Sequence, residues 1–190
     1  MASYDANYQA VAKLHHLLSP TWLYELITKH FSKGNVVLDV GCGTGRDCDW
    51  LSLNGYLTTG VDASTGMLNL AKDSYPNISF IQDSLPKLTT IKTEQFANVL
   101  CSAVIMHLPE DQLEETATNL LRVTEIGGCV LITYRGSPSD DNRESGKLYT
   151  PLAPNTLIQT FERLGATLVS HAQNTEEERG HVWNNLVFRK

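Results

Sequence analysis

Five residues, Val36-Val37-Leu38-Asp39-Val40, form an almost unbroken apolar run that stops at Gly41 and gives way to Gly41-Cys42-Gly43-Thr44-Gly45. A run of that kind suits a strand buried on both faces, as a central strand of a parallel sheet is. Glycine at alternate positions lets the backbone turn tightly and approach a ligand with no Cβ in between. Helical periodicity resumes at Arg46 and continues to about Leu53. Strand, glycine turn and helix in this order commit the chain to an α/β architecture. They also direct a ligand to the carboxyl ends of the strands.

The turn alone does not name that ligand, because dinucleotide folds use one too. Two details narrow the choice. The spacing is G-x-G-x-G, and Arg46 stands where a dinucleotide fingerprint has its third glycine. Asp39 lies two residues before the first glycine, where a carboxylate repels a pyrophosphate and attracts a cation. A ligand carrying an ammonium and a sulfonium, and no phosphate, fits such an entrance. Asp62 ends a second strand, 17 residues after Gly45, placed to accept hydrogen bonds from both hydroxyls of a ribose. Asp83, at the end of a third strand, is placed with Ser84 to meet an adenine amino group. Each has a plainer reading: Asp39 as a structural carboxylate, Asp62 as a charge at the next helix start, Asp83 as a turn aspartate.

The rest of the chain alternates between strand and helix periods. A first helix carries Tyr8, Val11, Ala12 and His15 on one face, and a second, opening at Ser19-Pro20, buries Leu23, Leu26, Ile27 and Phe31. Strands are expected at 57–62, 78–82, 98–103 and 129–134. Ser64 caps a helix that turns Met67, Leu68 and Ala71 inward. Pro109 opens a longer helix carrying Leu113, Ala117, Leu120 and Leu121, which Gly127-Gly128 ends. Pro154 starts another, with Leu157, Ile158, Phe161 and Leu164 at helical spacing. Two late strands, 167–172 and 182–188, have no helix between them and read as an antiparallel hairpin at one edge. No repeat or domain boundary is visible, so residues 1–190 read as one domain. Residues 136–153 are polar and aperiodic and follow the fifth strand's carboxyl end, which marks an active-site loop.

Composition trims the possible partners. Fifteen basic residues face twenty-one acidic ones, for a formal charge of −6, with acidic clusters at 140–141 and 176–178 and no basic stripe. No DNA partner is expected. No apolar run approaches the ~18–20 residues that cross a bilayer, and the polar start MASYDANYQA lacks a signal-peptide pattern, so a cytoplasmic setting is expected. Cys42, Cys48, Cys101 and Cys129 show no zinc or redox spacing and read as reduced, packed thiols; no metal is expected.

Taken together, VLDVGCGTGRD, VDAS, QDSLPKL, VLCSAVIMHLP and LLRVTEIGGCVLITYR resemble the class I S-adenosylmethionine-dependent methyltransferases over roughly Val36 to Arg135. The last helix and hairpin match that family's usual ending. The resemblance implies a Rossmann-like doubly wound sheet of seven strands, mostly parallel, with an antiparallel C-terminal edge hairpin. It implies S-adenosyl-L-methionine as cofactor, with Asp39, Gly41, Gly43 and Gly45 in the methionine-binding loop and Asp62 at the ribose. Asp83 and Ser84 then lie near the adenine, and Ala63 and Met67 pack against it. The chain departs from the family in having Ala97 where an aspartate is common. It also lacks the Asn/Asp-Pro-Pro-aromatic motif of enzymes acting on adenine or glutamine, and Cys101 lacks the setting of a cytosine nucleophile.

Methyl transfer from a sulfonium needs nucleophile, carbon and sulfur in line, so positioning is the enzyme's main task. A base is needed only if the acceptor loses a proton, and His107, beyond the fourth strand, is the candidate, with a packing role as the alternative. Tyr149, Arg135 and Arg143 border or lie in the long loop and suit an anionic or aromatic acceptor or a solvated lid. Tyr4 and Tyr8 cross the cofactor if residues 1–33 fold over the sheet edge, and otherwise make ordinary core contacts. His181 and Trp183 open the last strand near the acceptor mouth. The leading expectation is transfer to a small molecule. A protein or RNA acceptor, or a non-catalytic cofactor-binding partner domain, are the alternatives. A nicotinamide oxidoreductase is disfavoured by Arg46 and Asp39.

Overall fold

Apolar runs become the centre of the sheet and amphipathic stretches become its cover. The computed structural model describes residues 20–136, 149–176 and 181–190. The first expected helix, with Tyr4 and Tyr8, and most of the loop at 136–153, with Arg143, lie outside the described residues. The strands are β1 (Val36–Val40), β2 (Leu57–Asp62), β3 (Ser79–Gln82), β4 (Phe96–Ser102), β5 (Thr124–Arg135), β6 (Thr167–Glu176) and β7 (His181–Arg189). They form one sheet in the order β3-β2-β1-β4-β5-β7-β6. The first five are mutually parallel, and β7 runs antiparallel to both β5 and β6. This is the Rossmann-like, doubly wound, mostly parallel sheet with the antiparallel C-terminal edge. The strand order reverses between β1 and β4, the switch point that opens a ligand crevice at the carboxyl ends.

The helices are α1 (Thr21–His30), α2 (Arg46–Leu53), α3 (Thr65–Ser74), α4 (Leu113–Val123) and α5 (Pro154–Arg163). Side chains alternate across a strand, so each strand feeds two cores. Val37, Leu100, Leu131 and Val187 face Leu23 and Ile27 of α1 and Phe31 just after it. Leu38, Val99, Val130, Ile132 and Leu186 face Leu113, Ala117 and Leu120 of α4 and Leu157 and Phe161 of α5. Phe161 stacks on Phe188 with ring centroids 4.4 Å apart. A smaller cluster of Cys48, Leu68, Ala71 and Phe80 closes the β3 side.

Several boundaries differ from the sequence reading. Gly127-Gly128 does not end the helix. α4 stops at Val123, where the chain passes straight into β5. Glu94 N and Gln95 N, just ahead of β4, donate to Arg122 O and Val123 O and so capture the helix's last carbonyls into the sheet. The glycines lie within β5, where the register jumps from Phe96↔Thr124 to Asn98↔Cys129 and the pairing is irregular. A Cβ on Gly128 would sit 2.8 Å from the Ala97 carbonyl, so glycine lets the strand pass there. Pro20 occupies the cap of α1 rather than its first turn, and a 3-10 turn at Glu110–Gln112 separates Pro109 from α4. Ser64 caps α3 as read, its Oγ accepting from Met67 N at 3.3 Å.

Candidate cofactor site and acceptor mouth

The glycine loop leaves β1 and leans across β2: Gly41 N and Cys42 N both donate to Val61 O, at 2.7 and 3.0 Å. Gly41, Gly43 and Gly45 have φ of +75°, +56° and +83°, a region that costs an L side chain energy. Space adds to conformation. A Cβ on Gly41 would lie 2.3 Å from Val104 Cγ2, and one on Gly45 2.9 Å from Phe80 Cζ. The loop is therefore a bare-backbone cradle pressed between the ends of β1, β2 and β4.

Asp39 lies at the foot of this cradle, only 2% exposed, with Cys48 Sγ donating to its Oδ2 at 3.2 Å. Desolvation by burial, helped by neighbouring Asp47 and less by Asp62, pushes its carboxyl up to about 8 against the opposing Cys48 hydrogen bond and Arg46. A buried carboxyl held this far from its ordinary range gains by meeting a positive ligand. Asp62 fastens the cradle: its Oδ2 accepts from Gly43 N and its Oδ1 from Ser64 N, both at 2.8 Å. Each carboxylate oxygen keeps further acceptor capacity, so the residue can hold the loop and still meet hydroxyls.

Asp83 N donates to Asp62 O, so the ends of β2 and β3 are tied. The Asp83 carboxylate organises its own loop, accepting from Ser84 N at 2.7 Å and from Thr90 N and Thr90 Oγ1 at 2.6 Å each. Burial pushes its pKa up, but these donors outweigh it and hold the group below the usual carboxylate range. Because β1, β2 and β3 are neighbours, Asp39, Asp62 and Asp83 form a stepped row: Asp39 lies level with Gly60, two residues short of Asp62, and Asp83 one residue beyond Gln82, the partner of Asp62. Ala63 is half-buried at the start of the turn into α3, and Met67 is buried on α3 itself.

Sequence reasoning missed a brace beside this row. Arg46, noted only as the residue replacing a fingerprint glycine, forks onto its neighbour Asp47, Nε to Oδ1 and Nη2 to Oδ2, both at 2.9 Å. Tyr24 of α1 donates to Asp47 Oδ1 at 2.9 Å and stacks flat on Trp50 at 4.2 Å. The adjacent Arg-Asp pair in a first helical turn was visible in the chain. Its partner Tyr24, 23 residues upstream, carried no signal. Asp47 and Asp62 outnumber Arg46, so the loop is net negative even with Asp39 protonated, which suits a cationic ligand and opposes a pyrophosphate.

Across the switch point, β4 is followed by Ala103, whose φ of +59° is unusual for alanine, and then by a 3-10 turn Ile105–His107. His107 meets the Tyr149 ring edge-on, centroids 4.7 Å apart, and the Arg135 guanidinium lies 4.1 Å over the same ring. Arg135 Nη1 stands 3.2 Å from His181 Nε2, the guanidinium donating. Thr150 pins this corner, its N donating to Met106 O and its Oγ1 to Leu108 O. Four candidates from distant parts of the chain, His107, Arg135, Tyr149 and His181, thus form one contiguous group. Trp183 packs near Trp22 of α1, centroids 6.0 Å apart. Tyr8 lies outside the described residues.

The four cysteines are free thiols. Burial pushes Cys101 up to about 12 and Cys129 up to about 11, so both stay protonated as packing groups. Among the described residues no group of three or more His, Cys, Asp or Glu side chains is arranged to hold a metal, and no helix is long and apolar enough to cross a membrane.

A doubly wound sheet with a net-negative glycine cradle and a carboxylate ending its second strand suits a ligand with positive charge better than a phosphate. Residues 37–128 match a family described as a methyltransferase domain. A ubiquinone biosynthesis O-methyltransferase of Coxiella burnetii is 32% identical over 101 residues, covering 51% of this chain and 43% of the relative. The chain spans a little under half the length of the relatives it matches in sequence. Two solved structures share the fold: a TehB-like S-adenosylmethionine-dependent methyltransferase from Corynebacterium glutamicum (TM-score 0.75, 21% identity, all of both chains) and the 1,6-didemethyltoxoflavin-N1-methyltransferase of Burkholderia thailandensis (TM-score 0.77, 17% identity, all of this chain and 88% of that one). Over residues 37–128 the chain is thus similar to methyltransferase domains, and its fold is the one that solved S-adenosylmethionine-dependent methyltransferases adopt.

Proposed function

We propose that this chain transfers the methyl group of S-adenosylmethionine to a small-molecule acceptor by in-line displacement. The observation that carries the proposal is the buried Asp39 at the foot of the glycine cradle, across the switch point from the His107–Tyr149–Arg135–His181 group. The bound cofactor supplies an electrophilic methyl carbon on a sulfonium. Asp39 and the bare backbone of Gly41, Gly43 and Gly45 hold the cationic end. Asp62 takes the ribose hydroxyls while keeping its bonds to Gly43 and Ser64, and Asp83, Ser84, Ala63 and Met67 border the adenine. Tyr8 is assigned to the same pocket by resemblance.

On the acceptor side, His107 is assigned to take a proton from the nucleophile and Tyr149, which contacts both His107 and Arg135, to orient it. Orientation alone is worth several orders of magnitude when reacting atoms are held in line. A compact domain with a net acidic charge supports a small acceptor over a nucleic acid. The names of the Coxiella and Burkholderia relatives, each tied to a small molecule, point the same way.

Calorimetric titration with S-adenosylhomocysteine tests the cofactor half, with Asp62→Ala as control. Saturable binding that weakens in the variant is expected, and no binding to folded wild-type protein refutes it. Incubating the protein with methyl-labelled cofactor and fractionated cell extract tests the acceptor half. Label in the low-molecular-weight fraction is expected. Label confined to protein or RNA overturns the small-molecule assignment.

A further inference from the structure

One buried polar atom lacks a partner on the face of the sheet that carries Asp39. Asn185 of β7 is 1% exposed, and its Oδ1 has no hydrogen-bond partner. The orientation of its amide is set by β6: Nδ2 donates to Asn174 Oδ1 at 2.7 Å and, more weakly, to Ala172 O at 3.4 Å. Both donors are thereby used towards β6, so Oδ1 is turned away from that strand. Leaving a carbonyl oxygen unpaired in the interior is costly and calls for an explanation.

The register supplies its neighbours. Asn185 pairs with Thr133 of β5, and Thr133 pairs with Ser102 of β4. Directly opposed residues point to the same face, so Ser102, Thr133 and Asn185 form a row across three adjacent strands at the crevice end. Thr133 is fully buried, and its Oγ1 lies 2.8 Å from Ser102 Oγ. One hydroxyl hydrogen is used between the two, which leaves one donor and free acceptor positions. Asp39 pairs with Leu100, two residues before Ser102, so the row starts on the strand beside Asp39 and on the same face. Trp183, two residues before Asn185, shares that face and packs near Trp22 of α1.

We propose that Ser102, Thr133 and Asn185 are the floor of the acceptor site, and that the acceptor is a flat ring, uncharged at this edge, presenting adjacent hydrogen-bond donor and acceptor groups. The donor meets Asn185 Oδ1, and the Ser102–Thr133 pair serves the neighbouring group. All three side chains are neutral, so the floor offers no counter-charge to an anion, and desolvating one against it is unfavourable. Trp22 and Trp183 form the aromatic wall. Thr133 and Asn185 are buried, while Ser102 is partly exposed and marks the open end of the row. This inference rests on the methyltransferase reading above.

The test uses the protein saturated with S-adenosylhomocysteine and two neutral probes, catechol and 2-pyridone, with benzoate as a flat anion for comparison. Binding is followed by tryptophan fluorescence and calorimetry. The expected result is saturable binding of at least one neutral probe, tighter than benzoate. Asn185→Leu is expected to weaken that probe at least ten-fold while S-adenosylhomocysteine affinity changes less than two-fold and Tm is unchanged or higher. If Asn185→Leu does not fold, Thr133→Val carries the same test, with a loss of three-fold or more expected. Benzoate binding as tightly as the neutral probes, neither probe binding, or both variants binding the probe like wild type overturns the assignment. Loss of S-adenosylhomocysteine binding by the wild-type protein instead strikes the cofactor reading, so the two failures are distinguishable.

Discussion

Replacing Asp39 by asparagine separates what the loop needs for stability from what it needs for its ligand. Asp39 is buried against Cys48, and burial together with Asp47 raises its carboxyl to about 8 from an unfolded value near 3.8. For a group raised on folding, the stabilisation is complete below the unfolded pKa and is lost as pH climbs through the folded one. Ligand-free stability should therefore fall between about pH 4 and pH 8. A neutral asparagine removes that pH-dependent loss, so it is expected to gain about 1–3 kcal/mol above pH 8 and almost nothing at pH 4.

Cofactor affinity should move the opposite way. The ligand's ammonium group favours ionised Asp39, so wild-type binding of S-adenosylhomocysteine should tighten about ten-fold or more from pH 5.5 to 7.5. Asp39→Asn should bind about 10–100-fold more weakly at pH 7.5 and show little pH dependence. Urea denaturation across pH 4–8.5 and calorimetry across pH 5.5–7.5 read both. A stability gain in the variant that is the same at every pH, or wild-type affinity flat with pH, would refute the reasoning about Asp39.

Gly41→Ala should lower stability by about 1–3 kcal/mol and reduce cofactor affinity, because φ is +75° and its Cβ would meet Val104; adding Val104→Ala should recover part of the loss in thermal unfolding. Tyr24→Phe removes one donor from Asp47 but leaves the Arg46 fork, so a loss of about 1 kcal/mol in urea is expected with less than a three-fold change in cofactor affinity. Phe161→Ala empties the stack on Phe188 on the other face of the sheet, and should cost about 3–5 kcal/mol in denaturation while the folded protein binds cofactor normally.

Local pattern was a good guide where the cause of structure is local. Arg46–Leu53 and Leu57–Asp62 have the bounds that periodicity assigned them, and Ser64 caps the helix it was expected to cap. The order of strand, glycine turn and helix, and the carboxylates at the ends of β1, β2 and β3, could be read because chain order alone sets them. Gly127-Gly128 misled because a glycine pair terminates a helix only if nothing earlier does. Here the backbone ahead of β4 takes the carbonyls of Arg122 and Val123 first.

The chain by itself therefore determined the alternation of elements, the bare-backbone turn and the charge placed before it. Those depend on residues within a few positions of one another. Only the tertiary structure decided that Asp39 is sealed from water, that Tyr24 reaches Asp47 and that His107, Arg135, Tyr149 and His181 share one corner. It also decided that Ser102, Thr133 and Asn185 stand side by side. That row exists because β7 inserts between β5 and β6 in one register, and shifting it by a single residue would turn Asn185 to the other face. Pairing between segments dozens of residues apart leaves no periodic mark on either, which is why no reading of the sequence found it.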